Sequence, residues 1–185
     1  MKLFPTTSLL AAVIAAGACI SSCNSENTWD EYEEWREANN EWYQKQIALT
    51  DVDGKPYYTK LAPAWYPTSG VLIHYFNDRT KTEGNLSPLI TSTVDAKYIG
   101  RLYNDEPFDS SFTMTTYGDS IYRFRPSDMI SGWQIALTDM RVGDSCRVVI
   151  PSDQGYGTQS TGIILPYSVL VFDIKLTDIY SLQQP

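Results

Sequence analysis

Residues 94–111 read VDAKYIGRLYNDEPFDSS, and this stretch decides the fold of the chain. Apolar and polar residues alternate from Val94 to Tyr98, a period of two that is typical of a half-buried strand. Asn104-Asp105 then predicts a turn, and Phe108-Asp109 opens a cluster of a ring, a carboxylate and two hydroxyls. Because an Asp there commonly caps local backbone amides, the cluster alone fits a structural turn as well as a site.

A short helix is predicted further along the chain. From Gly132 to Met140 the apolar residues Trp133, Leu137 and Met140 fall at helical spacing, and Gly143 is placed to end the element. The flanking residues alternate or are rich in β-branched side chains, as strands are. The sequence therefore predicts an α+β fold in which strands surround one short helix.

The composition excludes several classes of function. The chain has 22 acidic and 14 basic residues and a net charge of −8, which argues against nucleic acid and against direct binding to anionic membrane surfaces. His74 is the only histidine, so a histidine-rich metal site or a Ser-His-Asp mechanism is not expected. No phosphate-binding glycine loop is present. The sequence predicts neither a metal nor a cofactor.

Residues 1–22 have the pattern of an export signal. Lys2 precedes an apolar run that is too short to span a bilayer, and small residues follow it. Ile20-Ser21-Ser22-Cys23 resembles a bacterial lipobox, which implies cleavage before Cys23 and lipidation of its thiol. We therefore expect an exported protein of the bacterial cell envelope, lipid-anchored to a membrane on its periplasmic or surface face. An ordinary signal peptide with a chance cysteine is the alternative.

This predicted processing affects the three cysteines differently. Cys19 leaves with the signal and Cys23 carries the lipid, so Cys146 remains alone and no internal disulfide forms. Cys146 lies in a strand-like run, where a cysteine is usually a small buried hydrophobe. Arg147 would point to the opposite face of that strand and would not activate the thiol.

Residues 29–47 are predicted to form a helix with a heavy aromatic load. Its rings recur at helix-like spacing: Trp29, Tyr32, Trp35, Trp42 and Tyr43. These rings would give the helix an aromatic face. We expect this Trp29–Trp42 face either to pack on its own domain or to contact a partner or a second copy of the chain. Residues 51–54 form a turn that lacks the terminal Glu of a calcium loop. Residues 23–57 are thus a lipid-anchored spacer and amphipathic helix, and residues 58–185 are the main domain.

Six motifs follow one another in the C-terminal half of the chain. They are Ile130-Ser131-Gly132-Trp133, Met140-Arg141-Val142-Gly143-Asp144, Val149-Ile150-Pro151-Ser152, Gly155-Tyr156-Gly157, Gly162-Ile163-Ile164-Leu165-Pro166 and Leu170-Val171-Phe172-Asp173. In this order they resemble the FKBP-type peptidyl-prolyl cis-trans isomerases over residues 69–179, and the lipidated, exported setting resembles bacterial members. The resemblance implies a bent antiparallel β-sheet wrapped around one short α-helix, here with an N-terminal helical extension.

The resemblance also implies a substrate pocket. Its catalytic residues would be Tyr98, Phe108, Asp109, Trp133 and Tyr156, with Trp133 as the floor and the Tyr156 hydroxyl donating to a substrate carbonyl. Its other substrate-binding residues would be Met129, Ile130, Ile163, Ile164 and Phe172, the first two through their backbone groups. Ordinary core packing is the alternative for each ring and aliphatic side chain, above all for Phe172 and Ile163.

The chain departs from the family pattern between residues 111 and 129. The first of two aromatic positions falls on Ser120 and the second on Tyr122, while Tyr117 would substitute in a shifted loop. The arginine that pairs with the pocket Asp in the family is missing, and Arg123 or Arg125 is the candidate replacement.

The function implied by the resemblance is isomerisation of Xaa-Pro bonds in proline-containing polypeptides, as an aid to the folding of exported proteins. Rotation about the amide breaks no bond, so the site needs no nucleophile, metal or histidine. Asp109 is then an electrostatic or positional group and not a general base. The altered loop favours an alternative, an FKBP-like binding or chaperone module with weak or no turnover. A third reading makes the N-terminal helix the functional surface.

Overall fold

The computed structural model describes residues 28–63 and 67–182, so the predicted signal and Cys23 lie outside the described part. The strands are β1 (Thr59–Leu61), β2 (Val71–Tyr75), β3 (Thr93–Leu102), β4 (Pro107–Ser110), β5 (Tyr122–Phe124), β6 (Ser145–Ile150) and β7 (Leu170–Ser181). The helices are α1 (Thr28–Glu31), α2 (Glu33–Ala48) and α3 (Ser131–Asp139). In this described part no helix is long and apolar enough to cross a membrane.

The seven strands form one sheet whose pairings are all antiparallel. The strand order is β1-β2-β6-β7-β3-β4. Strand β5 pairs with the first half of β3, and β4 pairs with the second half. Register shifts interrupt β3 against both β4 and β7, and such bulges increase the local twist of a sheet. The predicted α+β class and antiparallel sheet are confirmed.

Helix α3 fills one face of the sheet. It buries Trp133 and Leu137 in a core that includes Ile73 of β2. The helix ends at Asp139, one residue before the end of the predicted span Gly132–Met140. Its C-cap residue already has extended backbone, with ψ of 154°, and a short turn then leads into β6.

Helix α2 covers the opposite face. Leu72 lies between two residues that face α3, so it points the other way and joins Val149 in a second cluster. Trp42 and Tyr43 of α2 pack against that cluster. The predicted helix is interrupted at Tyr32, which divides it into α1 and α2. In this structure the aromatic face of the helix therefore packs on the chain's own domain.

The connection between β2 and β3 is fixed by a fully buried carboxylate, Asp144. It accepts hydrogen bonds from Thr82 Oγ1 at 2.6 Å, from Asn77 Nδ2 at 3.0 Å and from the Arg141 backbone N–H at 2.9 Å. The guanidinium of Arg79 lies 3.3 Å away. A buried charge with this many partners ties a polar connection firmly to the sheet.

The predicted burial of Cys146 is confirmed. Its side chain is fully buried, and Sγ lies 3.6 Å from Met140 Sδ. Burial raises the pKa of the Cys146 thiol well above its usual value. Arg147 faces the other way and pairs with Asp173, with Nε 2.7 Å from Oδ1.

Candidate functional site

A cavity of about 340 Å³ lies where β3, β4 and the start of α3 meet. It brings together eight of the ten side chains predicted for the site, which are Tyr98, Phe108, Asp109, Met129, Ile130, Trp133, Tyr156 and Phe172. A cavity of about 370 Å³ between β1 and α3 has no aromatic ring among its described lining residues. Because the two volumes are similar and each cavity is lined by an Asp, the aromatic lining distinguishes the first cavity as the candidate site.

The floor of the cavity is Trp133, in the first turn of α3. Only 1% of its surface is exposed. Three rings meet the indole edge to face, those of Tyr98 at 5.1 Å, Phe124 at 5.3 Å and Phe172 at 5.1 Å between centroids. Such contacts fix the orientation of the indole. Its Nε1–H is buried and has no acceptor among the residues that the structure describes.

Two phenyl rings form one wall. Phe108 and Phe172 meet edge to face, with centroids 5.4 Å apart. Both lie over Gly100 of β3, where a Cβ atom would come within 2.7 Å of Phe172 and 2.8 Å of Phe108. The missing side chain therefore lets the two rings pack directly on the strand. Phe172 is 5% exposed and belongs to the hydrophobic core, and it also lines the cavity.

A hydroxyl–carboxylate pair forms the polar side of the cavity. Gly100 pairs with Asp109 across β3 and β4, and this register places Asp109 beside Tyr98. The Tyr98 hydroxyl donates to Asp109 Oδ2 at 2.7 Å. Burial, and then this hydrogen bond, raise the pKa of Tyr98, so the hydroxyl stays protonated and remains a donor. Ser111 Oγ accepts from the Tyr98 backbone N–H at 3.0 Å and fixes the same segment.

The altered loop supplies one ring to the cavity. Tyr122 lines the cavity, stacked on Phe124 at 4.8 Å and 5.8 Å from the Tyr98 ring. Ser120 is buried with a φ of 60° and is not among the lining residues. Tyr117 does not substitute, because it is 51% exposed and packs on a guanidinium outside the cavity.

Neither candidate arginine replaces the missing partner of Asp109. Arg123 binds Asp95 through both carboxylate oxygens, with Nε–Oδ1 at 2.6 Å and Nη2–Oδ2 at 2.7 Å. Arg125 is exposed on the surface. Within the described part of the chain, no cation forms an ion pair with Asp109, and its hydrogen-bond donor is Tyr98. Arg123 and Arg125, the two candidate replacements, therefore leave Asp109 without the arginine partner that the resemblance implies.

The backbone groups at the cavity's edge are not equally available. The Met129 N–H donates to Pro126 O at 3.1 Å, and Met129 O accepts from Gln134 Nε2 at 2.8 Å. Ile130 O accepts from the amides of Trp133 and Gln134. In the described structure only the Ile130 N–H of these four groups makes no hydrogen bond. The prediction that Met129 and Ile130 meet substrate through their backbone groups stays a prediction, and the Ile130 N–H is the donor among these groups that is available for it.

The loop after β6 adds Tyr156 to the cavity and places the two predicted isoleucines in an adjoining cleft. Tyr156 is 40% exposed, and partial burial and then the charge of Asp109 raise the pKa of its hydroxyl. The cleft, of about 410 Å³, shares Phe108, Asp109 and Tyr156 with the cavity. Ile164 is buried, but Ile163 is 47% exposed, so core packing does not account for Ile163.

The sequence missed one lining residue. Asp128 ends a short 3₁₀ turn and lines the cavity beside Met129. Its position directly before the Met129-Ile130 pair was the available signal. The described residues contain no cluster of His, Cys, Asp and Glu side chains that could hold a metal ion. The geometry instead suits a flat apolar ring on the indole, with polar groups at the rim for flanking carbonyls.

The chain matches a known family by sequence. Residues 84–177 match the pattern of FKBP-type peptidyl-prolyl cis-trans isomerases. The isomerase FkpA of Escherichia coli K12 is 31% identical over 138 residues, which cover 74% of this chain and 48% of that protein. The macrophage infectivity potentiator of Trypanosoma cruzi is 40% identical over 108 residues, covering 56% of this chain and 52% of that protein. The chain spans about half the length of these two curated relatives.

Solved structures agree with this match. A crystal structure of a peptidyl-prolyl cis-trans isomerase from Pseudomonas syringae pv. tomato superposes with a TM-score of 0.63 at 30% identity, covering 80% of this chain and 95% of that one. The FkpA structure from Escherichia coli gives a TM-score of 0.66 at 23% identity, over 85% of this chain and 65% of that one. The latter likeness concerns the fold alone.

Proposed function

Because this chain belongs to the family of FKBP-type peptidyl-prolyl cis-trans isomerases, we propose that its aromatic cavity catalyses rotation about Xaa-Pro bonds of exported polypeptides. One observation carries the proposal. The cavity joins a buried indole floor, a phenyl wall and a tyrosine-bound carboxylate.

The barrier that such a cavity must lower is electronic. The Xaa-Pro amide resists rotation because of its partial double-bond character, with a barrier of about 18–20 kcal/mol. Twisting removes that resonance and leaves a less polar carbonyl–nitrogen unit. An aromatic, water-poor surface formed by Trp133, Phe108 and Phe172 disfavours the planar polar form relative to the twisted one. The site then binds the transition state better than the ground state.

Polar groups at the rim would hold the peptide while its carbonyl turns. The Ile130 N–H and the Tyr156 hydroxyl are donors at the cavity, and the Trp133 Nε1–H at its floor also lacks an acceptor in the described chain. A carbonyl bound there would satisfy a buried donor that otherwise costs stability. Asp109 accepts from Tyr98 and removes no proton, since the reaction transfers none.

Exchange NMR on a short Xaa-Pro-Phe peptide tests the activity, with residues 24–185 as the catalyst. Tyr98→Phe removes the hydroxyl that donates to Asp109, and Asp109→Val removes its acceptor. Tyr75→Phe is the matched control, because it loses a similar bond to Asp139, 2.6 Å long, away from the cavity. We expect acceleration that falls in both cavity variants and persists in the control.

Weak or absent turnover is the second candidate, and the loop favours it. Ser120 stands where the family has a first aromatic residue, and the structure keeps Ser120 out of the lining. A binding module would perturb the peptide's chemical shifts without accelerating cis-trans exchange. If neither shifts nor exchange changed, the cavity would not be a proline site.

Export and lipid anchoring at Cys23 are part of the proposal. Their support is the sequence pattern Ile20-Ser21-Ser22-Cys23 after an apolar run. The test is metabolic labelling with an alkyne fatty acid in a bacterial host. We expect label on the full chain, its loss in Cys23→Ala and its retention in Cys19→Ala. Label that survives Cys23→Ala would contradict anchoring at this residue.

Contact with a partner or a second copy through the Trp29–Trp42 helix is the third candidate. Its support is Trp29, which is 51% exposed, whereas Trp35 and Trp42 contact the chain's own domain. Sedimentation velocity of residues 24–185 tests the second copy. A monomer at high concentration would contradict it, and a dimer that Trp29→Ala dissociates would support it.

A further inference from the structure

The N-terminal helix touches the loop that carries Tyr156 and the two isoleucines of the adjoining cleft. That loop, residues 156–168, returns to the sheet immediately before β7. At this return point Asn39 of α2 is fully buried. Its Oδ1 accepts from the Val169 backbone N–H at 2.8 Å, and its Nδ2 donates to Trp35 O at 2.8 Å. The amide thus joins the helix backbone to the base of the loop.

A second hydrogen bond lies beside the first. The Trp35 indole Nε1–H donates to Ser168 Oγ at 3.1 Å, and that hydroxyl donates to Leu165 O at 2.7 Å. Ser168 is 3% exposed, so these bonds are largely shielded from water. Leu165 directly follows Ile164, which lines the cleft beside the cavity. The helix is therefore linked to the cleft through two consecutive polar contacts.

The residue directly before Ser168 has an uncommon backbone conformation. Tyr167 has a φ of 65°, in the left-handed region that bulky residues rarely adopt. Its N–H donates to Gly157 O at 2.8 Å, closing the loop next to Tyr156. Its ring meets Trp29 edge to face at 5.6 Å, and its hydroxyl lies 3.2 Å from Thr28 Oγ1. Surrounding contacts must hold such a conformation in place, and here the N-terminal segment supplies them.

We propose that the N-terminal helix positions this loop for catalysis, with Asn39 as the principal positioning residue. The inference rests on the proposed function in that the cavity is taken as the isomerase site. Helix α2 packs Trp42 and Tyr43 on the sheet, which is a structural role. Its two buried residues, Arg36 and Asn39, are polar, and the fully buried Asn39 accepts from the Val169 backbone N–H at the base of the loop, which apolar packing alone does not require.

The test compares two variants of the full chain by hydrogen–deuterium exchange and by peptide isomerisation. Asn39→Leu removes the acceptor for the Val169 N–H at similar volume. Trp35→Phe removes the indole donor to Ser168, together with part of a ring that meets Tyr103, and it covers the case in which Asn39→Leu fails to fold. We expect faster exchange of the amides in residues 157–169, and a fall in kcat/KM of about fivefold, mainly through KM.

Thr82→Ala is the matched control. It removes the 2.6 Å hydrogen bond to the buried Asp144 in the connection between β2 and β3, and neither residue lines the cavity or the cleft. The control should lower the melting temperature and leave loop exchange and KM unchanged. Wild-type loop exchange in a folded Asn39→Leu or Trp35→Phe protein would overturn the proposal. If the wild-type chain fails to accelerate isomerisation, the proposed function fails, while loop exchange still decides the positioning.

Discussion

Gly100→Ala is the sharpest test of how the cavity wall is built. A Cβ atom at this position would lie 2.7 Å from Phe172 Cε1 and 2.8 Å from Phe108 Cε2 and Cζ. Carbon atoms in contact normally lie about 3.5–4.0 Å apart, so both rings would have to move by about 1 Å. Because these rings form the cavity wall and contact each other, neither has free space on the strand side.

The expected loss of stability follows from two opposing effects. Overpacking a close-packed site costs about 1–3 kcal/mol. Replacing Gly by Ala in ordinary backbone restores about 0.4–1 kcal/mol by restricting the unfolded chain, and the φ of Gly100 lies outside the left-handed region. We therefore expect the free energy of unfolding to fall by about 1–2 kcal/mol. The expected fall in kcat/KM is about tenfold or more, because a shift of about 1 Å in a site is that costly.

Urea unfolding and peptide exchange NMR measure the two effects. Gly84→Ala is the matched control, since its Cβ would meet nothing within 4 Å and its φ is also ordinary. The control should be as active as wild type and equally or slightly more stable. A Gly100→Ala protein with wild-type stability and rate would show that the two rings do not rest on the strand, and the account of the wall would be refuted.

Three further outcomes are expected. Cys146 should resist iodoacetamide at pH 8 in the folded protein and react only in denaturant, because it is buried and its pKa is raised; mass spectrometry of the labelled chain checks this. Burial alone would raise the pKa of Asp144, but hydrogen bonds from Thr82, the Arg141 N–H and Asn77, with the Arg79 charge, lower it. The ionised Asp144 therefore stabilises the fold at pH values above the unfolded pKa of about 3.9, and this stabilisation is lost as the pH falls through the lower folded pKa. We expect acid to destabilise wild type more than Asp144→Asn, as measured by urea unfolding between pH 6 and pH 3. Asp105→Gly should raise the free energy of unfolding by about 1 kcal/mol, because its φ of 65° is left-handed, and an unchanged urea midpoint would count against that.

The sequence predicted best those features that depend on local pattern. Alternation located the strand that carries Tyr98, and the spacing of Trp133 and Leu137 located α3, because burial on one face imposes a period. The family resemblance predicted eight of the ten lining residues as site residues and placed Tyr122 at an aromatic position of the altered loop, so Asp128 alone was missed. The helical spacing was predicted to run to Met140, one residue beyond the observed end of α3 at Asp139, and Gly143 lies in the turn that follows.

Pairings between distant segments could not be predicted in the same way. Arg123 was one of two candidate partners for Asp109, but the β3–β5 register sets it directly opposite Asp95, which binds it in the folded chain. The link from Asn39 to Val169 joins residues 130 positions apart, and no local pattern encodes it. Such contacts arise only when the sheet and α2 have come together.

The position of β2 in the sheet has a consequence for where the folding unit begins. The family match starts at residue 84, yet β2 ends at Tyr75 and hydrogen-bonds to β6 along Leu72 to Tyr75. A polypeptide beginning at residue 84 would leave β6 with an unpaired edge beside the apolar run Val148-Val149-Ile150. Open apolar edges recruit other chains, so such a fragment should self-associate. The unit that folds without aggregating therefore has to include the strands before the family match.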